Sequence, residues 1–125
     1  MIKLINQING STCTQACIAM ASGKTIEEVI EAVGSKALTI QEEVSFYIQN
    51  EIEFNQLLYT TMFNGLYAVT VPSLNLKNEF HRILVRCFNG DILEILDPND
   101  GRDGKKFYDQ VSFLNSTWGE VIQLG

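Results

Sequence analysis

The pattern of hydrophobic and polar positions changes near the middle of the chain: the first half reads as helix and the second as strand. Three helix starts share one signature, a threonine followed three residues later by Glu or Gln: Thr12 with Gln15, Thr25 with Glu28, and Thr39 with Glu42. In such a capping box the hydroxyl and the longer side chain each satisfy one unpaired backbone N–H. Gly23 and Gly34 stand where helix ends favour a left-handed residue. These signals predict helices over 13–22, 26–33 and 40–50. The first contains Ala16, Cys17, Ile18, Ala19, Met20 and Ala21, nearly all small or apolar, which suits a helix buried on most sides.

From Leu66 the pattern is that of strands. One is predicted over 66–71, stopping at Pro72. Two more, 80–88 and 92–97, flank an Asn89-Gly90 turn signal, and a last one covers 118–124. Segment 54–63 is ambiguous by period. Helices followed by an antiparallel sheet predict an α+β fold.

The hairpin allows two registers. A two-residue Asn89-Gly90 loop sets Val85 against Glu94 and Arg86 against Leu93. A three-residue loop, with Gly90 in a left-handed bulge position, sets Arg86 against Glu94, Leu84 against Leu96, Val85 against Ile95 and Cys87 against Leu93. The second matches charge with charge and apolar with apolar, so it is preferred. It also puts His81, Asp97 and Asn99 on one face, with His81 and Asp97 as diagonal neighbours about 7–8 Å apart at the backbone. Arg82 falls on the outer face.

Composition narrows the function. A chain of 125 residues predicts one domain, 1–125, with a real core. With 46% hydrophobic and 19% charged residues it is a folding chain. No apolar run approaches the roughly 18 residues of a membrane span. The opening residues are too short and polar for a signal peptide, so a cytoplasmic location is expected, with export as an effector left open. A net charge of −6 with scattered Lys and Arg argues against a nucleic-acid partner. Oligomeric state is not legible. The three cysteines, an odd number in a chain with no sign of secretion, are expected to be reduced thiols.

Cys13 stands apart from the other two. It occupies the first helical position, where free N–H groups and the helix dipole stabilise a thiolate. His81 is the only histidine, so any imidazole chemistry must use it. Cysteine-based acyl transfer needs a nucleophile, a base, a group that orients the base and an oxyanion donor. Cys13, His81, Asp97 and the Gln7 amide supply this set, with Asn99 as the alternative orienting group. Cys17 and Cys87 read as core residues. A rival reading makes Cys13, Cys17, His81 and Cys87 zinc ligands, although Cys-x3-Cys on a helix is not the usual zinc spacing. The aspartates 91, 100, 103 and 109 lack the spacing of a calcium loop and read as solvated charges.

Gln7, then Cys13 opening the run Ala16-Cys17-Ile18-Ala19-Met20, then His81-Arg82-Ile83-Leu84-Val85 and Asp97-Pro98-Asn99-Asp100-Gly101 follow one another in an order that resembles the papain-like cysteine peptidases. The compact bacterial and phage type, similar to bacteriocin leader-processing peptidases and plant-pathogen effector peptidases, is nearest in style. Thr14 stands where many relatives carry glycine after the nucleophile. The resemblance implies a minimal papain-like fold, a peptide or isopeptide substrate, no cofactor and a Cys13–His81–Asp97 triad with Gln7 as oxyanion donor. Glutamine deamidation or transglutamination on the same groups is one alternative, and a catalytically inactive protein-binding module of this fold is another.

Overall fold

The computed structural model describes residues 2–57 and 62–125. Its elements run α1 (Cys13–Ser22), α2 (Ile26–Val33), α3 (Ile40–Gln49), β1 (Asn55–Leu57), β2 (Gly65–Pro72), β3 (Phe80–Phe88), β4 (Asp91–Leu96), α4 (Gln110–Leu114) and β5 (Val121–Gln123). The helices of the first half match the expected spans to within a residue. Of the ambiguous segment 54–63, residues 55–57 form β1, and 58–61 lie outside the described residues.

Thr25 and Thr39 cap as expected. Each is extended, accepts the backbone N–H three residues on, and has its own N–H taken by Glu28 or Glu42. The expected Thr12–Gln15 box does not form. Thr12 has φ −108° and ψ 23°, and its hydroxyl accepts the Ile8 and Asn9 N–H groups instead. Gln15 donates to the Gly34 and Lys36 carbonyls, tying α1 to the connection between α2 and α3. The sequence signature is the same in all three; in the first, the preceding turn claims Thr12 and a tertiary contact claims Gln15. A further box at the start of α4 joins Asp109 and Ser112. That five-residue helix was not foreseen, because it is too short to show a helical period.

The described strands form one antiparallel sheet in the order β1-β5-β2-β3-β4. Alternation along each strand separates two cores. Ala68, Leu84, Leu96 and Ile122 face α1, α2 and α3, where they meet Ala16, Cys17, Ile18, Val29, Phe46 and Tyr47. Tyr67, Val69, Val71, Ile83, Val85 and Val121 face the other way, with Cys87, Tyr108 and Phe113. The last strand is shorter than expected: Trp118 precedes β5 and stacks on Phe113, ring centroids 4.5 Å apart.

Both hairpin registers occur. Next to the turn, Phe88 pairs with Asp91 and Cys87 with Ile92; farther on, Arg86 pairs with Glu94, Val85 with Ile95 and Leu84 with Leu96. Asn89 (φ 51°) and Gly90 (φ 83°) make the two-residue loop, and the extra residue, Leu93, is a β-bulge. Cys87 therefore faces Ile92 rather than Leu93. The preferred register holds beyond the bulge, with Arg86 Nε 2.9 Å from Glu94 Oε1.

Candidate active site

β3 is longer than β4 at one end. Pairing with β4 stops at Leu84, whereas pairing with β2 continues to Phe80. The open edge is covered by α1. The Cys17 thiol donates to the Arg82 carbonyl, 3.4 Å away, and Cys13, His81 and Arg82 line one cleft. The start of a buried helix thus lies against the start of a strand, and the two residues singled out at those positions, Cys13 and His81, meet.

His81 is buried at 7% exposure, and its Nε2 lies 2.6 Å from Asp97 Oδ1. Asp97, 1% exposed, also accepts the Asn99 N–H on Oδ1 and the Tyr108 N–H on Oδ2, each at 2.8 Å. Three donors thus hold the carboxylate in place. Asn99 turns its side-chain oxygen to Arg102 Nη1 at 2.6 Å, so of the two orienting groups considered, Asp97 is the one on the imidazole. With Nε2 engaged by Asp97, the ring has Nδ1 left for Cys13.

Burial of Cys13 would raise its thiol pKa, but the hydrogen bond and charge of His81, the Arg82 N–H and the Thr14 hydroxyl outweigh it and hold the thiol below its ordinary value. Burial would likewise lower His81; Asp97 and Cys13 prevail and push it up to about 9. The two shifts run in opposite directions, the thiol toward its charged form and the imidazole toward its charged form. Cys17, one turn below, shows the opposite behaviour: it is fully buried, and its thiol is pushed well up by burial first and by the Cys13 charge next. Cys87 lies in the core across the sheet, so the four residues of the zinc reading are not brought together. Among the described residues no group of three or more His, Cys, Asp or Glu is placed to hold a metal ion.

Gln7 is buried and anchored by its main chain, its N–H donating to the Pro98 carbonyl at 3.1 Å. Asn6 Nδ2 donates to the Pro98 and Asp100 carbonyls, so the N-terminal segment grips the loop that begins at Asp97. One Gln7 amide proton goes to the Asn9 carbonyl at 2.7 Å, and Oε1 is buried without a partner. Gln7 does not line the open cleft beside Cys13, a space of about 720 Å³ between Leu38 and Ile40 on one side and Leu76 and Phe80 on the other.

Arg82 is the main departure from expectation. It does not lie on an outer, solvated face: it is 3% exposed and points to the helix side. Glu43 of α3, also buried, meets it with Nη2 2.9 Å from Oε1. Nothing in the capping signature that begins α3 marked Glu43 as a buried charge. Its position one residue beyond Glu42 was the only hint, since that places it off the exposed capping face.

No protein-family model matches the chain, and no curated protein matches it. Among solved structures it is similar to the peptidase domain of Streptococcus ComA, a bifunctional ABC transporter involved in a quorum-sensing pathway. That likeness has a TM-score of 0.67 at 19% identity and covers 98% of this chain and 96% of that one. It shows the fold: the minimal papain-like α+β arrangement of N-terminal helices against an antiparallel sheet. Among the described residues no helix is long and apolar enough to cross a membrane.

Proposed function

We propose that the protein is a cysteine-dependent hydrolase acting on a peptide or isopeptide bond. The observation that carries this reading is the His81 ring, held at 2.6 Å by a buried Asp97 on one nitrogen and lining one cleft with the helix-start thiol of Cys13. The Cys13 thiolate attacks the carbonyl carbon, and the oxygen takes up the negative charge. The Cys13 N–H, one of the free donors of the helix start, stabilises that oxyanion, and the second amide proton of Gln7 joins it once the side chain turns from the Asn9 carbonyl toward the cleft. The tetrahedral intermediate collapses as the C–N bond breaks and the His81 imidazolium gives its proton to the leaving amine. His81, now neutral, takes a proton from water, whose oxygen attacks the thioester; the acid leaves, the C–S bond breaks, and the Cys13 thiolate and His81 imidazolium are restored. Asp97 keeps the ring oriented and stabilises its charged form.

The test is the pH dependence of Cys13 alkylation by iodoacetamide, resolved by peptide mass mapping, in the protein and its His81→Ala variant. The expected result is a midpoint well below pH 7 that rises in the variant. A midpoint near 8.5 in both would overturn the thiolate pair and with it the enzyme reading. Peptide libraries then separate a cut chain from released ammonia, which would mark a deamidase.

A further inference from the structure

Beneath the cleft, Arg82 is the point at which five elements meet. Its guanidinium binds Glu43 of α3 through Nη2, and through Nη1 it donates to Thr70 Oγ1 of β2 at 2.7 Å and to the Glu120 carbonyl, just before β5, at 2.9 Å. Tyr47 donates its hydroxyl to Glu43 Oε2 at 2.6 Å, so the carboxylate is held from both sides. The main chain of Arg82 belongs to β3, and its carbonyl meets α1 at Cys17.

A buried ion pair is weak evidence for stability, since apolar residues of similar volume often serve a core as well or better. This pair is also imperfect, with Arg82 Nε buried and unpartnered. A role in placement accounts for it more directly. We infer that Arg82 is a positioning residue: with Glu43 as counter-anchor, it fixes the start of β3, which has a strand partner on one side only, against α1 so that His81 stands beside Cys13. The inference rests on the thiolate–imidazolium reading of the site and names what holds that pair in register.

The charged groups around the thiol are His81, with Asp97 behind it, and, toward Cys17 one turn down α1, Arg82 and Glu43. Arg82 and Glu43 carry opposite charges, so replacing both leaves the net charge unchanged and isolates the geometric effect. In Arg82→Met/Glu43→Met the urea midpoint should be kept or raised, while the Cys13 alkylation midpoint rises by about one pH unit, slowing alkylation about tenfold at pH values well below both midpoints. Arg82→Lys keeps the charge but cannot reach Thr70, Glu120 and Glu43 together, so its midpoint should fall between the two. If the double variant does not fold, Glu43→Gln and Arg82→Lys provide the measurement, each compared with its own urea midpoint. Alkylation midpoints that stay at the native value in every folded variant would overturn the positioning role. An ordinary midpoint in the unmutated protein would instead overturn the proposed function, so the two failures are distinguishable.

Discussion

The two ends of β3 are built differently. From Leu84 to Cys87 the strand has a partner on each side, and its register is set locally by the Asn89-Gly90 turn and the Leu93 bulge. From Phe80 to Ile83 it has β2 on one side only, and α1 takes the other. A strand edge carries free N–H and C=O groups, and something must satisfy them. At the hairpin end another strand does so, and the interior is apolar. At the open end the partner is the start of a helix, and the Arg82 carbonyl takes the Cys17 thiol. The candidate site sits where strand pairing stops on one side, because only there is the backbone free to meet a side chain.

The comparison can be broken from either end. The largest effect on stability is expected at Leu84, the first residue paired on both sides and fully buried. Leu84→Ala should cost about 2–5 kcal/mol in urea unfolding and, in the folded fraction, leave the Cys13 alkylation midpoint where it was. At the open end His81→Ala should do the reverse, slowing Cys13 alkylation at pH 6.5 about a hundredfold as the thiol returns toward its ordinary value. Its urea midpoint should change little by comparison.

Asp97→Asn keeps an oxygen acceptor but removes the charge. Asp97 holds the imidazolium above its ordinary value, so losing that charge moves the titration down. Because His81 is the only histidine, its ring resonances can be followed by NMR without ambiguity. The midpoint, about 9 in the native protein, should fall by about one unit or more in the variant. The range in which an imidazolium can protonate a leaving amine then contracts from its alkaline side. The smallest effect belongs to the turn. Gly90 has φ 83°, and a Cβ there would meet Phe63 at an ordinary 3.5 Å, so Gly90→Ala carries only the left-handed backbone cost of about 1–2 kcal/mol. Alkylation of Cys13 should not respond to it.

The sequence by itself determined the local elements and most of the site's membership. Threonine caps and apolar composition marked α1, α2 and α3, and charge matching across the hairpin placed Arg86 against Glu94, which set the phase that brings His81 and Asp97 together. These features are legible because they depend on neighbours a few residues apart or on strict alternation. Tertiary structure decided what depends on contacts far along the chain. It drew Gln15 out of a capping box to the Gly34 and Lys36 carbonyls. It also turned Arg82, which alternation assigned to an outer face, into a buried partner of Glu43. A period of two names the face of a strand but not what covers it. Here three helices cover the face on which Arg82 lies, and a charge enclosed there needs an opposite charge beside it.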